Sequence, residues 1–269
     1  MLRKAYQAQL KGKPHLRMFE ISRMFEINKG EVPRVFKVFI DFDGTITKED
    51  VGANIFTTFG DTEKANEIIH GFRDGSLTAF ETWEELLKTL KITDEATIKE
   101  FAAGFQIDKS FHPFIDFLKA KGIKHYIVSD GFAFYIDAIL NREGLQIPYF
   151  ANELIFKKGG GVRMEFPHRD EHCTKCANCK RNHVVALSGD DEFSVYIGNG
   201  NSDVCPALHC DYIFAKDTLL KYCEKNRVSY YPFRNFGDVQ ARMNELLNKK
   251  RPKKRHRAEL NRKKLYMQG

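Results

Sequence analysis

The sequence predicts an α/β protein built on a doubly wound parallel sheet, with a small helical unit inserted after the first strand. Two observations carry this. Short apolar, β-branched runs near 35–41, 124–128, 194–197 and 211–215 alternate with helix-period segments near 112–121, 132–143, 181–188, 203–208 and 217–226, the pattern of β–α–β crossovers in a parallel sheet. About eighty residues separate Asp43 from Ser129, too many for one simple crossover.

The first strand stops at two carboxylates, Asp41 and Asp43, followed by Gly44 and Thr45. Residues i and i+2 of an extended chain point the same way, so both acids face one site at the carboxyl end of the strand, where open α/β sheets bind ligands. Two close carboxylates repel unless a cation neutralises them or one holds a proton. The bland reading of Asp-x-Asp-Gly is an Asx-type turn. Residues 50–89 then read as helices, with apolar spacing at Ile55, Phe56 and Phe59 and again at Phe80, Trp83, Leu86, Leu87 and Leu90. Phe80 and Trp83 are expected to pack within this unit rather than to touch a ligand. The second strand ends in Ser129-Asp130-Gly131, a hydroxyl and bare N–H groups that suit an anion. Residues 152–166, broken by Gly159, Gly160 and Gly161, read as a β-hairpin. Lys180 opens a helix, and the strand 195–198 ends in Asn199-Gly200-Asn201-Ser202-Asp203. A short segment, 229–233, and a final helix near 236–248 complete the body.

Taken together, Asp-Phe-Asp-Gly-Thr (41–45), Ser129, Lys180 and Gly-Asn-Gly-Asn-Ser-Asp (198–203) resemble the haloacid dehalogenase superfamily of phosphotransferases, in its phosphoserine-phosphatase-like branch. Within it the chain looks most like methionine-salvage 2-hydroxy-3-keto-5-methylthiopentenyl-1-phosphate phosphatase-like proteins, which also carry cysteines just before the lysine. The loop 201–206 is similar to that of phosphocholine/phosphoethanolamine phosphatases. The resemblance implies a Rossmann-like core and hydrolysis of a small phosphomonoester through an aspartyl-phosphate. Asp41 would attack and Asp43 would be the acid and base; Lys180 would offset charge. Thr45, Ser129, Asp130, Gly131 and Asp50 would bind phosphate or substrate. Magnesium would be held by Asp41, Asp43, position 199 and Asp203. Position 199, usually Asp in that family, is Asn199 here, so one negative charge is missing and magnesium affinity should fall. The implied organisation is a basic extension over 1–32, a catalytic core over 33–48 and 108–248, a helical cap over 49–107 and a basic, disordered tail over 249–269. Counting along the chain against phosphoserine-specific relatives places Asp50 and Glu84 inside the cap; an anionic cap would repel phosphoserine.

Cys173, Cys176 and Cys179, with His172 nearby, have spacing that lets thiolates and an imidazole share one zinc ion; reduced thiols or a disulfide are the alternatives. Six cysteines without a secretion signal point to a reducing, cytoplasmic setting, and no apolar run is long enough to span a membrane. Residues 1–30 carry seven Lys/Arg against two Glu and residues 249–264 ten against one, so the net +7 leaves the remainder at −7. The basic ends are therefore the only sequence feature that favours nuclear or organellar targeting or nucleic acid as a partner, and a solvated tail is the plainer reading. The echo of Met-Phe-Glu-Ile at 18–21 and 24–27 points to an over-long start, with Met18 or Met24 nearer the domain. The oligomeric state is left open. The alternative to an enzyme is a weakened phosphatase scaffold serving as a regulatory or nucleic-acid-associated binding protein.

Overall fold

The computed structural model describes residues 34–173 and 175–268; the expectations for the N-terminal extension and start site lie outside them. Seven strands form one sheet in the order β4-β3-β2-β1-β5-β6-β7. They are β1 (Phe36–Ile40), β2 (Lys124–Phe132), β3 (Tyr149–Phe156), β4 (Val162–Glu165), β5 (Phe193–Gly198), β6 (Tyr212–Ala215) and β7 (Tyr231–Pro232). Every pairing is parallel except β3 with β4, which is the expected glycine-broken hairpin. Gly159, Gly160 and Gly161 all turn with positive φ there, a region open to glycine at little steric cost.

Buried β1 carries Val38, Phe39 and Ile40 with no exposed surface, each contributing roughly 1.5–3 kcal/mol of burial. Its registers align the strand ends. Ile40 sits opposite Ile127 of β2 on one side and Ile197 of β5 on the other. The loops that leave β1, β2 and β5 therefore emerge side by side where the sheet order changes direction.

Between β1 and β2 run α1 (Val51–Phe59), α2 (Thr62–Asp74), α3 (Ala79–Thr89) and α4 (Glu95–Ala103). Their starts are written locally. Asp50, Asp61 and Asp94 each accept from a backbone N–H of the first turn, and Thr78 with Glu81 forms a capping box. Phe80 packs outward, not within this unit as expected: it lies edge-on against Phe166 at 5.1 Å and under the Arg169 guanidinium. Then follow α5 (Phe111–Ala120), α6 (Ala133–Arg142), α7 (Lys180–Leu187), a 3-10 turn (Asn201–Asp203), α8 (Val204–Ala207), α9 (Asp217–Lys225) and α10 (Phe236–Asn248).

The C-terminal segment corrects the expectation of a disordered tail. Residues His256–Gln268 form a helix, α11, that docks on the end of the sheet where β5 and β6 begin. Ala258 is fully covered, and Arg262 is 9% exposed and bonds Asp211 at 3.0 Å and the His209 carbonyl at 2.6 Å. Arg255 donates to the carbonyls of Ala207 and Cys210, and Asn261 to that of Leu208. The contact is polar: side chains donate to carbonyls at and just after the end of α8, where helical partners run out. Docking of this kind needs no apolar stripe. It also turns Arg255 and Arg262 away from any external polyanion. Arg262→Ala would leave Asp211 buried with Ser194 alone as partner, so it should destabilise the protein by about 3 kcal/mol. Urea denaturation checks this, and removal of 249–269 should cost at least as much.

Candidate active site

Asp41 continues the ladder of β1 through its N–H, which donates to the Ile197 carbonyl at 2.9 Å. The chain then turns, with the N–H groups of Thr45, Ile46 and Thr47 converging on the Phe42 carbonyl. Gly44 has φ +69°, and a Cβ there would fall 2.5 Å from Asn199 Nδ2, so both conformation and contact demand glycine. Phe42 is buried in the core, while its neighbours Asp41 and Asp43 both border a cavity of about 420 Å³.

Lys180 is the central cation. It is 2% exposed, and its Nζ lies 2.6 Å from Asp41 Oδ1, 2.7 Å from Asp203 Oδ1 and 3.1 Å from Ser202 Oγ. Burial opposes its charge, but the Asp203 and Asp41 carboxylates overcome that and hold its pKa above the usual range. Burial and the charge of Asp203 push Asp41 up to about 7 against the pull of Lys180. Burial and the charge of Asp50 push Asp43 up to about 8, against hydrogen bonds from Tyr135 and Val51. Burial raises both acids, and they differ in partner: Asp41 is paired with a lysine, Asp43 with a tyrosine hydroxyl and a backbone N–H.

Asp203 is not placed as a metal ligand. It is fully buried and accepts from Lys180, from the Tyr196 hydroxyl and from the N–H groups of Asn199 and Gly200. Four donors fill the lone-pair sites of a carboxylate, so it positions the lysine and the loop. Thr45 is buried and donates to Asn199 Oδ1 at 3.1 Å, which fixes the amide beside Gly44. Ser129 is also buried behind the cavity wall, donating to Asp43 Oδ2 at 3.3 Å and accepting from the Gly131 N–H. Asp130 and Gly131 do border the cavity. The Asp130 side chain, however, accepts from the Asn178 N–H at 2.8 Å and so anchors the loop that carries Lys180. Asp50 borders the cavity while capping α1.

The oxygen-rich donor set of Asp41, the Asp43 carbonyl and Asn199 suits a hard cation such as magnesium, and several carboxylates here share the single buried lysine. Zinc is a different matter. Among the described residues no three His, Cys, Asp or Glu side chains gather to hold a metal. His172 is exposed, whereas Cys179 is buried and burial pushes its thiol up to about 11, with Cys176 also pushed up. The expected zinc site of Cys173, Cys176, Cys179 and His172 therefore finds no support in the fold. That loop instead braces the helices over the cavity, with the Ala79 N–H bonding the Lys175 carbonyl.

Four residues were not foreseen. Arg73 and Lys48 border the cavity. Trp83 packs as expected, on Phe56 at 5.7 Å and on Phe132 at 4.8 Å, and also borders the cavity. Asn201 donates to the carbonyls of Phe72 and Arg73 and ties the loop after β5 to the end of α2. Tyr135 donates to Asp43 at 2.6 Å. Glu84, expected inside the cap with Asp50, is exposed and off the cavity, so of that pair only Asp50 borders it.

A parallel sheet with paired aspartates, a buried lysine and a Gly-Asn-Gly loop at its carboxyl edge defines a phosphatase of the haloacid dehalogenase superfamily. The profile of the family described as "Putative Phosphatase" matches residues 36–223, and the chain belongs to that family. It is 33% identical over 217 residues to the 2-hydroxy-3-keto-5-methylthiopentenyl-1-phosphate phosphatase of Bacillus cereus (strain B4264), covering 80% of this chain and 98% of the relative. The enzyme of the same name from Bacillus mycoides (strain KBAB4) matches with the same identity and coverage. Among solved structures, a phosphoserine phosphohydrolase-like protein from Francisella tularensis superposes with TM-score 0.62 at 18% identity, over 78% of this chain and all of that one. A phospho-aspartyl intermediate analogue of phosphoserine phosphatase gives the same TM-score and identity, over 78% and 99%. Among the described residues no helix is long and apolar enough to cross a membrane.

A carboxyl whose folded pKa exceeds its unfolded value of about 4 stabilises the fold below that value and loses this contribution as pH rises through the folded pKa. For Asp43 the window runs from there to about 8. In EDTA-treated protein, Asp43→Asn should therefore melt progressively higher than wild type as pH rises through the window. A melting difference independent of pH would contradict the assignment.

Proposed function

We propose that the protein hydrolyses a small phosphorylated metabolite through an aspartyl-phosphate on Asp41, with magnesium as cofactor. The observation that carries this is Lys180 seated 2.6 Å from Asp41 beside an Asp43 that favours its protonated form. In the first step a carboxylate oxygen of Asp41 bonds to phosphorus as the ester P–O bond breaks, and Asp43 gives its proton to the departing oxygen. In the second, water attacks phosphorus, Asp43 takes a proton from it, and the Asp41–phosphorus bond breaks to release inorganic phosphate. Lys180 offsets the negative charge gathered on Asp41 and the phosphoryl group. Asp41, the Asp43 carbonyl and Asn199 would hold magnesium, which supplies charge neutralisation on the phosphoryl oxygens.

Helices α1–α4 would serve as the cap. Ile69, Phe72, Trp83 and Leu86 give the cavity an apolar side, and Arg73 and Lys48 a cationic one. This suits a leaving group with an apolar end and an oxygen-rich middle, the chemistry in the name of the bacterial relatives' substrate. Phosphoserine is no longer excluded by charge, since Arg73 and not Glu84 faces the cavity. Free thiols at all six cysteines support a reducing, cytoplasmic setting.

A panel of phosphomonoesters assayed with magnesium tests the reading. Asp41→Asn should lower turnover by more than about 10³-fold, and near-wild-type rates would sink the mechanism. Asn199→Asp restores a negative ligand and should lower the magnesium concentration for half-maximal activity; an unchanged requirement would place Asn199 outside the metal shell.

A further inference from the structure

We infer that Tyr135 is a positioning residue for proton transfer, whose phenol fixes the Asp43 carboxyl so that Oδ1 carries the proton to the leaving-group oxygen. This rests on the phosphatase reading above and deepens it.

Tyr135 lies in the first turn of α6 with no exposed surface, and it does not border the cavity. Its ring is boxed by Phe42 at 6.0 Å, Phe132 at 6.4 Å and Phe134 at 5.3 Å. The hydroxyl therefore has little freedom, and it donates to Asp43 Oδ2 at 2.6 Å, a short hydrogen bond for a hydroxyl donor. Ser129 donates to the same oxygen at 3.3 Å. Oδ1 receives only the Val51 N–H, at 3.0 Å. A carboxyl oxygen offers about two acceptor sites. Oδ2 is thus filled by two donors, and a proton placed there would face both. Oδ1 keeps one site, and that is where an ionisable proton fits.

The backbone makes room for this arrangement. A Cβ on Gly131 would fall 1.5 Å from the Tyr135 hydroxyl and 2.6 Å from Asp43 Oδ2. The glycine after Ser129-Asp130 is therefore where the chain yields space to the phenol–carboxyl pair. A buried tyrosine usually finds some partner for its hydroxyl; here the partner is the group that the mechanism uses as acid.

Leaving groups differ in how much they need a proton, and this separates positioning from mere packing. Tyr135→Phe keeps the aromatic box and removes only the hydroxyl. With the full-length protein and magnesium, kcat/KM is measured for 4-nitrophenyl phosphate and for phenyl phosphate, whose departing oxygen is more basic. The variant should lose less than about 3-fold on the first and about 10- to 100-fold on the second. In an Asp43→Asn background the same change should add less than about 2-fold, because the two groups act as a unit. Equal losses on both esters, or full additivity with Asp43→Asn, would overturn the inference while leaving the phosphatase reading intact. Absence of wild-type turnover on every ester overturns both. If Tyr135→Phe fails to fold, 3-fluorotyrosine at this position is a near-isosteric, stronger donor, and it should flatten the dependence on leaving group; an unchanged dependence overturns the inference.

Discussion

The site depends on one buried cation. Lys180 reaches across from the start of α7 to two carboxylates from different strands, Asp41 after β1 and Asp203 after β5. A lysine this deeply covered is tolerable only with its charge paired, and each acid likewise needs the lysine. The three loops that leave the sheet at this edge are therefore held to one another electrostatically as well as by hydrogen bonds. The nucleophile candidate is restrained by the interaction that would lower its repulsion toward phosphate.

Around that cation two asparagines fasten the layers. Asn178 donates to the carbonyls of Ser129 and Phe150 and contacts His183 at 2.7 Å through its own carbonyl oxygen, which locks the lysine loop to β2 and β3. Asn201 reaches in the other direction, to the end of α2. The helices over the cavity are thus tied to the loop that carries Asp203. Movement of those helices would be felt at the lysine through a short chain of hydrogen bonds, and a preorganised polar site requires such support.

The opposite end of the sheet is organised by a different pair. Arg262 meets Asp211 at 3.0 Å, and Asp211 in turn accepts from Ser194 at the start of β5. The C-terminal helix is thereby part of the folded body and stabilises the strand whose far end bears the Gly-Asn-Gly loop. Basic composition alone points to a solvated or polyanion-binding tail. Here it serves partly to satisfy carbonyl oxygens of the protein itself, which arginine does well because its planar fork donates in two directions.

By itself the sequence determined the features that local chain chemistry controls. Apolar runs marked the strands, the i, i+2 rule put Asp41 and Asp43 on one face, and the glycines at 44 and 159–161 marked turns that only they enter without strain. The motif order then pointed Ser129, Lys180 and the 198–203 loop to one site; the registers of β1, β2 and β5 align those strand ends, and Lys180 bonds Asp41 and Asp203 there. Tertiary structure alone decided the rest. Arg73 in place of Glu84 at the cavity, Tyr135 on Asp43, Asp203 saturated by four donors, and α11 docked through arginines all depend on where distant segments meet. Polar contacts of that kind leave no period in the sequence, because a single hydrogen bond is set by position in space and not by spacing along the chain.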